Sequence, residues 1–236
     1  MPLVLAQRET NREEKRDRMD MALPEAPNDE RARADCYRLI ANLFYGRADR
    51  RLLSQLAAEP QRAAKTSGGW RLEIVEDEPK ATAYTRAFEA LKTVCRELGE
   101  DAIRQEYEGL FLGDAQVRVS PFTSVYAAPA APDRYLRALR EYLVSCGLVR
   151  SSASRPIEDH VSAVCDLMSW LIERKRPIAE QLAFFNEFVR TSLTPFCDAL
   201  EARKAAHFYR AVAGLARAFI QQEIAALEQA EIAQLQ

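Results

Sequence analysis

Between residues 29 and 222, apolar residues return at three- and four-residue intervals in one stretch after another. Only a helix gathers residues at that spacing onto one face. Cys36, Leu39, Ile40, Leu43 and Phe44 make one stripe, and Tyr84, Phe88, Leu91, Val94, Cys95 and Leu98 a second. Val161, Val164, Cys165, Met168, Leu171 and Ile172 make a third, and Phe208, Val212, Leu215, Ala216 and Phe219 the last. Composition points the same way: 38 of the 236 residues are alanine and only 8 are glycine. Alanine enters a helix at least cost, whereas glycine loses most backbone freedom there. This balance excludes β-sandwiches, barrels and glycine-rich nucleotide-binding folds. No run alternates with period two, and no fixed-period repeat occurs. The expectation is an all-α protein, a single helical domain of about nine or ten helices. A chain of this size buries roughly 70% of the surface it exposes when unfolded.

The limits of the domain follow from where the pattern fails. Residues 1–28 are mostly charged, carry no apolar stripe and contain Pro24 and Pro27. Such a segment buries too little to offset its ordering entropy and reads as a flexible tail. Asn28 suits the N-cap of the first helix, and Gly46 stops it. Ser67-Gly68-Gly69 is a loop signal, Pro79 suits the first position of a helix, and Asp133 suits a cap. A long helix is expected from about Ile157, and Thr194-Pro195 reads as a cap followed by a proline. Residues 223–236 are helical in composition but weakly anchored. Residues 114–132 are apolar without helical spacing: Val117, Val119, Pro121, Phe122, Val125 and Tyr126. Long loops of this kind usually serve function or are disordered, and the aromatic content argues against disorder.

Charge and ligand chemistry narrow the function. Lys and Arg number 33 against 35 Asp and Glu, for a net charge of −2. The signs interleave, with no basic stripe to follow a nucleic-acid backbone. Two histidines, His160 and His207, exclude a three-histidine zinc site, and no Glu-x-x-His pair exists for a di-iron bundle. No metal or cofactor is expected. Cys36, Cys95, Cys146, Cys165 and Cys197 are scattered without a Cys-x-x-Cys pair, the pattern of reduced thiols in the cytoplasm. No apolar run is long enough to span a membrane, and Leu3-Val4-Leu5-Ala6 is too short for an export signal. The protein is expected to stay in the compartment where it is made.

Two places depart from plain core-and-surface logic. One is Glu106-Tyr107-Glu108-Gly109-Leu110-Phe111-Leu112-Gly113 with the loop Ser120-Pro121-Phe122-Thr123-Ser124-Val125-Tyr126; the other is Glu158-Asp159-His160. On spacing alone, Tyr107, Leu110 and Phe111 read as core. Glu158 or Asp159 reads as a carboxylate stabilising a helix start, with His160 partly buried. Adjacent helical residues point about 100° apart, so Asp159 and His160 do not face one another as a catalytic pair. Cys165 lies in the apolar stripe, out of reach as a nucleophile. The loop combines a rigid turn, two aromatics and small hydroxyl residues beside an amphipathic helix. That combination suits a groove for a partner's helix or extended peptide.

Glu106, Tyr107, Leu110, Phe111 and Gly113, then Pro121, Ser124, Val125 and Tyr126, then Asp159-His160, occur in one order and spacing. This pattern resembles the TorD/DmsD family of redox-enzyme maturation chaperones. The nitrate-reductase assembly chaperones are more distant relatives. The resemblance extends to Tyr37, Leu39, Ile40, Ala41, Leu43 and Phe44 and to Phe185, Phe208 and Tyr209, and covers about residues 30–222. It implies a TorD-like helical fold, a cytoplasmic location and no catalysis. It implies binding to the twin-arginine signal peptide, or to the body, of a molybdenum-cofactor oxidoreductase precursor until the cofactor is inserted.

By the same resemblance, Tyr107, Leu110, Phe111 and Gly113 supply an apolar helix face. Pro121, Phe122, Ser124 and Tyr126 supply a loop, and Asp159 and His160 lie at the signal-peptide site. Where the family carries Glu-Pro before that pair, this chain has Pro156-Ile157, with Glu158 next to Asp159. A twin-arginine segment needs an apolar groove with carboxylates at one end. Phe111, Phe122 and Tyr126 are the expected groove, and Glu108, Asp114, Glu158 and Asp159 the expected charge. The protein is expected as a monomer or homodimer, with 114–132 a hinge suited to domain swapping. The alternatives are a helical enzyme or a ligand-binding regulator with a site around Asp159-His160. Neither a glycine-rich phosphate loop nor a basic recognition helix supports them.

Overall fold

A computed structural model describes residues 29–46, 48–58, 82–114, 118–148 and 158–234. The tail, Ser67-Gly68-Gly69, Pro79, Val117 and Pro156-Ile157 fall outside the described residues. The chain forms α1 (Glu30–Phe44), α2 (Arg50–Ala57), α3 (Ala83–Glu97), α4 (Glu100–Tyr107), α5 (Ser124–Ala127) and α6 (Pro132–Ser145). It continues through α7 (Val161–Glu173), α8 (Ile178–Phe184), α9 (Thr191–Glu201) and α10 (Phe208–Gln234). The all-α architecture is thus observed. Among the described residues the extended pairing is a single antiparallel bridge between Phe122 and His160.

Local chemistry sets the helix starts. The Asp29 carboxylate accepts from the Ala32 N–H and caps α1, one residue beyond the expected Asn28. Asp49 caps α2 and Thr82 caps α3, where Pro79 was expected to open the helix. Pro132, not Asp133, begins α6, and Asp133 lies in its first turn. Pro195 sits inside α9 rather than at its start.

Two π-helical segments, Glu108–Leu112 after α4 and Phe185–Arg190 between α8 and α9, were not foreseen. The second lies just upstream of Pro195, which brings no N–H to the helix ladder. Side-chain hydroxyls take up carbonyls there. Thr191 Oγ1 donates to Glu187 O at 2.6 Å, and Ser192 Oγ and the Tyr135 hydroxyl donate to Phe188 O at 2.6 and 3.1 Å. After the first π segment, Gly113 passes so close to Gly109 that a Cβ there would stand 2.6 Å from the Gly109 carbonyl oxygen. Glycine is required at that point by contact, not by backbone angle.

The expected stripes become the core. α1 packs along α7, α10 packs on α3 and α9, and α5 sits between α6 and α9. Phe44 stands at an aromatic centre, with ring centroids 5.0 Å from Phe196, 6.0 Å from Tyr209 and 6.4 Å from Phe111. Cys36, Cys95, Cys165 and Cys197 are buried free thiols, as small hydrophobes on these faces would be. The first turns beyond residue 222 are firmly docked, since Glu223 and Leu227 are each 1% exposed. No helix among the described residues is long and apolar enough to cross a membrane.

Two carboxylate contacts, the first buried and the second partly exposed, tie distant parts of the chain together. Arg33 on α1 donates from Nε to Glu223 Oε1 at 2.6 Å and from Nη2 to Glu223 Oε2 at 3.1 Å. The Tyr37 hydroxyl donates to the same carboxylate, and Arg33 also reaches Gln181 Oε1 on α8. At the start of α10, the Glu106 carboxylate accepts from the backbone N–H groups of His207, Phe208 and Tyr209 at 2.9, 3.0 and 2.8 Å. A helix leaves its first N–H groups without intrahelical partners, and here a side chain from α4 supplies them.

Candidate functional site

The two unusual places in the sequence meet. Thr123 N–H donates to Asp159 O at 2.7 Å, and Val161 N–H donates to Pro121 O at 2.9 Å. The Thr123 hydroxyl also donates to Asp159 O at 2.8 Å, and the Ser124 hydroxyl donates to Asp159 Oδ2. Four bonds thus splice the loop onto the start of α7. Upstream, Val119 N–H donates to Leu110 O at 2.7 Å and ties the loop to the first π segment. The Tyr126 hydroxyl donates to Ser120 O at 2.9 Å and closes the loop on itself.

His160, not Glu158 or Asp159, caps α7: its Nδ1 accepts from the Ser162 N–H. That bond requires a neutral ring with its proton on Nε2. Burial drives the His160 pKa from 6.5 down to about 4. The unfolded chain therefore binds a proton that the folded protein refuses. Stability falls as pH drops through the unfolded value, and the loss levels off below the folded one. Between pH 7.5 and 5 the expected loss from this residue is about 2 kcal/mol. His160→Asn keeps a cap acceptor that does not titrate. Urea midpoints across that range should fall less with pH in the variant than in wild type; parallel curves would refute the assignment.

Around this junction the residues divide by depth. Thr123, Ser124, Glu158, Asp159 and His160 are all buried. Pro121, Phe122 and Tyr126 are half-buried above them, and Val125 and Leu112 are exposed. Phe122 sets its ring edge-on to His160 at 6.0 Å, and Tyr126 sets its ring edge-on to Phe196 at 5.6 Å.

Leu110 and Phe111 do not present an open wall. Both are buried, and Phe111 packs against Tyr107 at 5.0 Å and Tyr209 at 5.1 Å. They form the floor on which the loop rests. The expected acidic rim also differs in depth: Glu158 and Asp159 lie beneath the surface, Glu108 is half-buried and Asp114 exposed. The Arg140 guanidinium on α6 approaches Glu158 at 3.5 Å. Spacing alone gave Arg140 no role.

Among the described residues no group of His, Cys, Asp or Glu is placed to hold a metal ion. Cys165 is fully buried, and burial pushes its thiol well up from the ordinary range, which disfavours a nucleophilic thiolate. What the geometry offers is a half-exposed apolar loop pinned over buried carboxylates.

Residues 77–202 match the family described as nitrate reductase delta subunit. The chain belongs to this family. The matched region holds all three motifs, from Tyr107 to His160, and agrees with their resemblance to the TorD/DmsD group. The chaperone protein TorD of Shewanella sp. strain MR-4 is 27% identical over 213 residues, covering 84% of this chain and 95% of the relative. The chaperone protein TorD of Shewanella sp. strain ANA-3 is 27% identical over 210 residues, with the same coverage.

Proposed function

We propose that the protein is a cytoplasmic chaperone for a molybdenum-cofactor oxidoreductase. It binds the precursor's twin-arginine signal peptide, or its body before the cofactor enters, and so prevents premature export. It is not itself an enzyme. Both relatives carry the name chaperone, and the observation that carries the reading here is the junction of residues 121–124 with 159–161. The half-buried Pro121, Phe122 and Tyr126 offer apolar contact, with Tyr107, Leu110, Phe111 and Gly113 shaping the floor beneath. Ser124, Asp159 and His160 hold the loop in place. Glu108, Asp114 and Glu158 supply the negative charge that an arginine-bearing segment needs.

The test is calorimetric titration with a peptide that carries two arginines followed by an apolar stretch. Phe122→Ala is expected to weaken binding by about 1–3 kcal/mol, as loss of an interface anchor does. Asp159→Asn, which keeps an acceptor for Ser124 but removes the charge, should weaken it less and make it less sensitive to salt. Unchanged affinity in both variants would remove the junction from the binding site.

A further inference from the structure

The turn from α9 to α10 is densely basic: Arg203, Lys204 and Arg210 fall within eight residues. Lys204 and Arg210 are exposed and Arg203 is half-buried. Arg210 Nη2 donates to Arg203 O at 2.6 Å, which draws the Arg210 guanidinium back over the turn. Among the described residues no carboxylate pairs with any of the three. The nearby acids are engaged elsewhere. Asp198 and Glu201 both bind Arg217, and Glu106 spends its two oxygens on backbone N–H groups. Arginines on other helices do have such partners, Arg104 with Asp101 and Arg176 with Glu180 among them. This corner adjoins the apolar loop. Tyr126 packs edge-on against Phe196 of α9, and Arg203 follows Phe196 by seven residues, nearly two turns on along the same face. Burial pushes the Tyr126 hydroxyl up to about 12, and the Arg203 charge acts against that rise, so the guanidinium stands within electrostatic reach of the loop.

We infer that Arg203, Lys204 and Arg210 form a basic subsite for an acidic stretch of the docking polypeptide, next to the apolar residues that rest on the loop. A guanidinium fork pairs with a carboxylate bidentately, and two forks and an ammonium on one turn match two or three acidic residues in a short segment. Charge at such a rim stays partly in water, so it selects partners more than it tightens them. A polypeptide that brings basic residues to this corner is repelled. The inference rests on the peptide-binding reading above, and its test separates the two.

Two peptides are compared by calorimetric titration. Each has two arginines and an apolar stretch, and one ends in three glutamates where the other ends in three glutamines. Wild type should bind the acidic form about three- to tenfold more tightly at low salt, the scale of two or three exposed ion pairs. The difference should shrink at high salt. Arg203→Gln/Lys204→Gln should abolish it. Arg31→Gln should keep it: Arg31 is exposed on α1 near Arg33, whose partner Glu223 lies fifteen residues along α10, roughly 22 Å from the turn. Separately, NMR follows acetylated tetraglutamate, which has no apolar stretch to engage the loop. Amide shifts should concentrate at 203–210 and vanish in the double variant, whether or not the longer peptides bind. Shifts at the turn without binding of either longer peptide refute only the docking reading. Equal affinity for the two peptides overturns the subsite, as does a difference that survives Arg203→Gln/Lys204→Gln. A tetraglutamate response that spares the turn, or one that inorganic phosphate matches at equal concentration, overturns it as well.

Discussion

Glu223→Ala is expected to destabilise the protein by about 3–5 kcal/mol, because it strands a buried guanidinium. The Arg33 and Glu223 side chains are 10% and 2% exposed, and the carboxylate also takes the Tyr37 hydroxyl. For a chain of this size that loss lowers the melting temperature by roughly 6–20 °C. Burial screens the pair from added salt, so the deficit should persist at high ionic strength. The double variant Arg33→Met/Glu223→Leu should recover most of the loss, since apolar residues need no compensating charge. Thermal and urea unfolding of the single and double variants measures this. A double variant as unstable as the single one would show that the attraction itself, not the stranded charge, is what matters.

Phe111→Ala is expected to cost about 3–5 kcal/mol of folding stability, as emptying an aromatic core position does. Its ring is 5% exposed and touches Phe44, Tyr107 and Tyr209, so the cavity would open between α1, the π segment and α10. Peptide affinity per folded molecule should stay within about twofold, because the ring meets no docking surface. Phe122→Ala should do the reverse: it gives up an edge contact with His160 worth about 1 kcal/mol and loses most of its effect in binding. Equal binding losses in the two variants would move Phe111 from the floor of the site to its wall.

The stripes were legible because helix and core share one period. Arg33 lies three residues before Cys36, and Glu223 lies four after Phe219, each on an apolar stripe. Two opposite charges on core-facing positions were the available signal for a buried pair, although nothing in the sequence assigns them to one another. The π segments were not legible, since one extra residue per turn barely disturbs the hydrophobic pattern of Leu110-Phe111 or Phe184-Phe185. Pro195 misled because a proline after threonine ordinarily marks a helix start, whereas here a π turn and the hydroxyls of Thr191 and Ser192 precede it inside a longer run. The approach of Thr123 and Ser124 to Asp159 is a backbone meeting, which no side-chain periodicity records. Glu106 offered even less. It caps a helix whose first N–H groups lie more than a hundred residues downstream.

The bond between Arg33 and Glu223 spans 190 positions of chain. A ribosome adds residues from the amino end, so α1 emerges with its cation aimed at a counter-ion not yet translated. Most of the polypeptide must leave the exit tunnel before α1 meets its last neighbour. Final closure is therefore a late event of synthesis, and a nascent chain halted in α9 lacks the piece that seals it.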